Sequence, residues 1–381
     1  MNRQILRLAI PNIISNLSVP LLGAVDTAVV GRLEHVYYLG AIAVGSIIFD
    51  FIFWGFGFLR MGTTGMVAQA YGAQQERKTR IILFRVLLVA GVSSLVILLI
   101  QYPLIEASLY LVNASPEVEE YTRLYYHIRI FAAPATLALF GLNGWFLGMQ
   151  NSTYPMIITI FLNIVNIILN LIFVFRFDMT VDGVATGSLV ASFLALGLAL
   201  FLYNKKYGGV KLNIKFFSVN RDIVIRTLCL IFSYAFFTAK SAEMGDVVLA
   251  ANTILLQMWY ISSYGTDGFA YAAESLVGRF KGAGDKEKLK SAVVANMFWG
   301  LGLGVLGTVS YAIFDAEIIS LFTDKENVVA VAMTVVIWLI VAPVVNSVCF
   351  IWDGVYIGAT ATGAMRNSMI VATILVFIPV Y

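Results

Sequence analysis

YGAQQERK, residues 71–78, returns as KGAGDKEK at residues 281–288. The shift of 210 residues that overlays these basic loops also places Leu39 on Leu249, Gly55 on Gly265, Phe140 on Phe350, Gly144 on Gly354 and Gly148 on Gly358. Single matches between apolar segments arise by chance, but one register serving three helices and a polar loop marks an internal repeat. The flanking sequence decides what kind of repeat it is. Apolar stretches of about 20 residues or more recur from end to end, the length a helix rising about 1.5 Å per residue needs to cross hydrocarbon.

Composition agrees with that reading. The chain is 60% hydrophobic and 12% charged, with a mean hydropathy of +0.87, whereas soluble domains carry about 25% charged residues. Membrane barrels are excluded, because their strands alternate over about ten residues and these runs do not. The expected helices cover roughly 10–33, 42–71, 81–103, 121–148, 153–176, 183–203, 222–245, 250–276, 289–313, 328–358 and 367–381. Alternate connections collect most of the 25 Lys and Arg residues on one side, among them Arg3, Arg7, Arg77, Lys78, Lys205, Lys211, Arg226, Arg279, Lys281 and Arg366. Glu34, Glu106, Glu117, Asp178, Asp315 and Asp324 fall on the other, so the positive-inside rule predicts a cytoplasmic N-terminus in a multi-pass protein of the cell membrane. No small-residue cleavage site follows the first span, so a removable signal peptide is not expected. Cys229 and Cys349 lie in apolar segments and suggest no disulfide framework.

A repeat displaced by six crossings keeps its orientation, so the expected fold is all-α, two six-helix lobes as parallel repeats with substrate held between them. The expected boundaries are an N-terminal lobe over 1–203, a cytoplasmic linker over 204–220 and a C-terminal lobe over 221–381. Within the sequence given, the overlay ends at the position matching Leu171, so five helices of the second lobe are expected and its sixth is absent.

Several polar residues are out of place in this background. Asp26 stands in AVDTAVVGR (24–32) after an almost uncharged run from Ala9. An aspartate at a helix centre costs about 2.5–3.5 kcal/mol on insertion scales, so such acids face a bundle interior or a wet cavity, where they can exchange a proton. The structural alternative is a buried carboxylate paired with Asn16 or Thr27. The repeat sets Phe236 opposite Asp26, so the shared scaffold does not require the acid. Pro20, with Pro11, removes a helical hydrogen bond and offers a hinge six residues before it. Asn163, Asn166 and Asn170 share one helix face; Asn166 and Asn170 are read as functional, Asn163 as an interhelical hydrogen-bonding residue that is also a cavity candidate. Asp50, Arg60, Arg85 and Arg129 are read as structural Arg–Asp pairs, with Asp50 also a cavity candidate. In the second half Lys240, Glu243, Asp267, Glu274 and Asp353 are candidates, with Asp267, Glu274 and Asp353 assigned to the cavity; Lys240 could neutralise one of these acids, and Glu243 and Asp246 could instead reach the outer surface.

Pro11 and AVDTAVVGR, FGFLRMGTTGMVAQAYG (56–72), LAANTILLQ (249–257), DGFAYAAESLVGRFKGAGD (267–285) and DGVYIGAT (353–360) together resemble the multidrug and toxic compound extrusion (MATE) family, in particular its DinF-like branch. The resemblance implies a V-shaped pair of lobes that exports organic compounds, often cationic, against protons or sodium. It also implies an ion-coupling site at Asp26, Asn166 and Asn170, with Thr186 or Ser188. Asn170 stands where some members carry aspartate, which favours a proton over Na⁺ at Asp26.

The expected function is therefore a secondary-active exporter of small organic cations, working as a monomer with no enzymatic activity, no cofactor beyond the coupling ion and no nucleic-acid partner. No GxxxxGK[ST] stretch supports ATP-driven transport, and no Cys/His cluster suggests a metal site. The alternatives are a lipid-linked oligosaccharide flippase, which would need a strongly cationic cavity, and a truncated membrane protein that does not transport.

Overall fold

The computed structural model describes residues 1–33, 35–112, 114–208, 220–323 and 325–380, without the side chains of residues 21–24, Asp26, Thr27, Val36, Asn220, Arg221, Ala242, Asp246 and Val380. Most of the expected linker over 204–220, together with Glu34 and Asp324, lies outside that set. All regular structure among the described residues is helical. The first half contains α1 (Asn2–Val30), α2 (Val36–Trp54), α3 (Phe58–Gly72), α4 (Glu76–Leu99), α5 (Gln101–Val112), α6 (Pro116–Arg129), α7 (Ala133–Gly148), α8 (Thr153–Arg176) and α9 (Val181–Tyr207). The second contains α10 (Asn220–Glu243), α11 (Asp246–Gly282), α12 (Lys286–Ser320), α13 (Glu326–Gly358), α14 (Thr362–Val371) and α15 (Ile378–Val380), the last two joined by a π turn.

Helices fall on all eleven expected stretches; the 81–103 stretch passes from α4 to α5 at Ile100, the 367–381 stretch contains the π turn, and two further stretches break. The 42–71 stretch breaks between α2 and α3 at Gly55–Gly57, where Phe56 and Gly57 bond back to Phe53 and Trp54 in tighter turns. The 121–148 stretch breaks at a 3₁₀ turn, Ile130–Ala132, just ahead of Pro134, whose missing N–H suits the first turn of α7. By contrast α1 runs unbroken through Pro11 and Pro20. Among the described residues, eight helical stretches are long and apolar enough to cross a membrane; α11, at 37 residues, is not among them because polar residues dilute its apolar windows.

Large apolar side chains point outward, as lipid solvation requires: Leu95, Phe298 and Trp338 are 57%, 74% and 76% exposed. The interior of the first half packs α2, α4, α6, α7 and α9 around Phe49, Tyr126, Trp145 and Tyr203. The start of α1 does not join that core. Ile5, Leu8 and Ala9 pack instead on Phe269, Ala273 and Leu276 of α11 and on Ile351 of α13.

Four helices that run to the end bearing the basic loops stop in the same way. Gln74, Gln150, Gly284 and Thr360 take φ of 57°, 61°, 71° and 50°. The next residue's N–H in each case reaches back five positions, Gln75 to Ala70, Asn151 to Phe146, Asp285 to Phe280 and Ala361 to Tyr356, at 2.8–3.0 Å. This satisfies carbonyls that the helix end would otherwise strand. Gln74 and Gly284 are 210 residues apart, as are Gln150 and Thr360.

The two halves meet at this end, backbone on backbone. A Cβ at Gly72 would overlap the Arg279 carbonyl, and one at Gly282 would overlap the Gln69 carbonyl. A Cβ at Gly65 would likewise strike the carbonyl of Ile357. Gln69 Nε2 donates to the Gly358 carbonyl at 2.9 Å, and Gln150 Nε2 to the Ser275 carbonyl at 2.8 Å. Small residues permit this close approach, and hydrogen bonds hold it without water.

Gly72→Val should destabilise the protein by about 1–3 kcal/mol through overpacking, read as an earlier thermal-unfolding midpoint in detergent. Gly91→Val is the control, since a Cβ at Gly91 meets nothing within 4 Å. Equal midpoints for both variants would remove the glycine contacts from any structural role.

Candidate functional site

Two polar groups lie at membrane depth. The first is built on α8, whose apolar face turns Ile164, Ile168 and Phe175 outward while Asn163, Asn166 and Asn170 are 7%, 2% and 0% exposed. Spacings of three and four residues put the three amides on one side of the helix. Asn170 Nδ2 donates to Asn166 Oδ1 at 3.0 Å, and Asn166 Nδ2 donates to Ser188 Oγ on α9 at 2.9 Å. Gly187 lets α9 approach, because a Cβ there would overlap the Asn170 side chain. Asn163 Nδ2 donates to the Ser18 carbonyl at 3.2 Å and to its Oγ at 2.9 Å, tying α8 to α1.

The expected ion-coupling set is thus partly gathered. Asn166, Asn170 and Ser188 form one hydrogen-bonded chain. Thr186 does not join it; its hydroxyl donates to the Asp182 carbonyl of its own helix at 2.7 Å. Asp26 belongs to α1, which packs on α8, and its side chain lies outside the described residues. Pro20 sits in the unbroken part of α1, with its ring exposed.

The second group spans the two halves. Tyr260, Tyr264, Asp267, Tyr271 and Glu274 recur at alternating steps of four and three, one stripe along α11. Arg60, on α3, lies with Cζ 4.1 Å above the Tyr271 ring centroid. Its Nη1 is 3.4 Å from Glu274 Oε2, with the two side chains 16% and 1% exposed. Arg226, on α10, has Nη2 2.5 Å from Asp353 Oδ2 on α13 and Nη1 3.9 Å from Met61 Sδ on α3. Asp267 has Arg60, Arg226 and Asp353 as charged neighbours, yet it makes no ion pair or hydrogen bond among the described residues.

Two sequence expectations need correcting. Arg60 does not pair with an Asp of the first half but with Glu274 of the second. Arg129 lies 4.9 Å over the Phe49 ring and donates to the Tyr125 hydroxyl, and it is also the charged neighbour of Asp50. Lys240 neutralises one of the second-half acids, Glu243, with Nζ 2.6 Å from Glu243 Oε2 near the helix end. Arg226 is no loop charge, since it stands inside α10 against Asp353. Asp50 is exposed on α2 with Tyr260 and Tyr264 within electrostatic reach, so of the first-half candidates it faces α11. Sequence reading missed Tyr271; the heptad-like recurrence of Tyr and acid along α11 was the available signal.

Comparison with known proteins places this geometry in a family. The MatE family model matches residues 11–172 and 223–381. The chain is 37% identical over 377 residues to DNA damage-inducible protein F of Escherichia coli, covering 96% of this chain and 82% of that one. It is 27% identical to human multidrug and toxin extrusion protein 1 over 88% of this chain and 60% of the relative. The Vibrio cholerae MATE transporter VcmN in its bent form superposes with a TM-score of 0.89 at 19% identity, over 99% of this chain and 88% of that one.

Arg226→Ala strands a buried carboxylate, and breaking a buried pair from one side costs about 3–5 kcal/mol. The expected loss of thermal stability in detergent is largely reversed by adding Asp353→Asn. Additive losses in the double variant would show that the two side chains do not act as a pair.

Proposed function

Because the chain belongs to the MatE family of multi-pass membrane transporters, we propose that it exports small organic cations by alternating access, driven by inward movement of a proton at Asp26. The observation that carries the reading is the buried amide chain Asn170–Asn166–Ser188 on the side of α8 that carries Asn163 and its bonds to α1. Amides can orient a carboxylate in either protonation state because each offers both donor and acceptor. Na⁺ at Asp26 is the second choice, since the gathered set supplies neutral amide and hydroxyl oxygens and no second carboxylate.

The lobes in this reading are residues 1–203 and 221–381, joined by the linker over 204–220, with the N-terminus cytoplasmic in the cell membrane and a monomer as the working unit. Contacts between the halves concentrate at the end with the basic loops, which supports an outward-facing state. A membrane potential of 100 mV is worth about 2.3 kcal/mol per charge moved, enough to bias the cycle. The excess of acids around α11 favours cations over the pyrophosphate of a lipid-linked flippase substrate.

Asp26→Asn should abolish efflux of a lipophilic cation driven by a pH gradient in proteoliposomes, with folding and insertion unchanged. Undiminished efflux by that variant would sink the coupling role. Imposing a Na⁺ gradient alone tests the second choice of ion, which predicts full transport without any pH difference.

A further inference from the structure

Arg60 shows by its own contacts what kind of group the α11 stripe accepts. Its guanidinium is planar and delocalised, sits over an aromatic ring and meets a carboxylate at the same time, as an organic cation bound between an aromatic face and an acid would. Yet the pairing around it is incomplete. Two guanidinium groups, Arg60 and Arg226, face three carboxylates, Asp267, Glu274 and Asp353, and the unpaired one is Asp267, one turn before Tyr271. Glu274 is 1% exposed, and its Oε1 accepts no hydrogen bond among the described residues. The neighbouring Thr64 hydroxyl donates to the Arg60 carbonyl at 3.0 Å and lies within reach of the Glu274 carboxylate. A half-buried carboxylate left without a partner between the helices attracts a further cation.

We infer that Asp267, Tyr271 and Glu274 form a site for planar, delocalised organic cations, and that Arg60 is its tethered occupant, contributed by the opposite half. The inference rests on the proposed transport of cations and names the shape of cation that this site takes. Asp267 receives the incoming cation, which then competes with Arg60 for the Tyr271 face and for Glu274. Because Arg60 belongs to α3, its displacement also removes an ionic contact between the halves near their closed end. Cations without a delocalised plane gain the carboxylate attraction but only a weaker contact with the ring.

The test uses the full chain purified in detergent, with ethidium as the planar probe and tetraphenylphosphonium as the non-planar one. Arg60→Ala is expected to bind ethidium about tenfold tighter, with a much smaller change for tetraphenylphosphonium. Guanidinium chloride at millimolar concentration should raise the unfolding midpoint of Arg60→Ala but not of the wild type. Tetramethylammonium chloride at equal ionic strength should not, and adding Glu274→Gln should abolish the guanidinium effect. Asp267→Asn keeps the Arg60–Glu274 pair and should weaken ethidium binding about tenfold, so it carries the test alone if Arg60→Ala does not fold. Equal guanidinium stabilisation of wild type and Arg60→Ala, or unchanged ethidium affinity in Asp267→Asn, overturns the inference. Gradient-driven efflux with neither response counts against this site and leaves the export reading standing. Both responses without efflux count against the export reading alone.

Discussion

The contact on which the rest depends is the touching of two helix backbones, α3 and α11, where no side chain intervenes. Gly72 sits on the Arg279 carbonyl and Gly282 on the Gln69 carbonyl. These are the same contact made twice, since 72 and 282, like 69 and 279, differ by 210. Such a contact is self-complementary in the way of a two-fold dimer interface. It fixes how near the halves come, and from that follows which side chains higher in the same helices can reach one another.

Arg60 and Glu274 are the case in point. The positions 210 residues away from them are Ala270 and Thr64, so the symmetric contact carries charge at one of its two places. Arg226 and Asp353 correspond in the same way to Asn16 and Asn143. The repeated backbone thus carries two ionic pairs against α11 and α13, and at the matching positions only neutral side chains, two of them the amides of Asn16 and Asn143. Amides do not need an opposite charge to be tolerated in hydrocarbon, whereas carboxylates do, and this separates the two polar groups chemically.

Much of the architecture was legible because hydrocarbon thickness imposes a length on every crossing and the loops YGAQQERK and KGAGDKEK preserve the register. The interruption at Gly55–Gly57 was not, since Gly265 occupies the matching place in an unbroken α11 and the local sequence gives both outcomes. The buried face of α8 was legible from the spacing of Asn163, Asn166 and Asn170. Thr186 was carried by resemblance alone, and its hydroxyl serves its own helix. The Arg60–Glu274 pair was illegible for a different reason. It joins residues 214 apart, and no periodicity in either helix says which partner a charge will meet once the halves dock. Arg226 was misplaced because a charge one or two turns inside a helix end reads like a loop residue.

A buried ion pair is a poor source of net stability, because the attraction largely repays the loss of hydration. Under the proposed alternating access, that weakness suits a contact that opens. With Arg60 16% and Glu274 1% exposed, separating them without water would leave two bare charges in a medium of low dielectric. Once water enters between α3 and α11, the same separation costs little, since both groups are solvated as they part. The glycine contacts behave differently, for they lose dispersion energy steeply within the first ångström and regain nothing from water. Together they give a junction that resists small displacements and offers little resistance to large ones, which is the behaviour of an element with two discrete positions rather than of a spring.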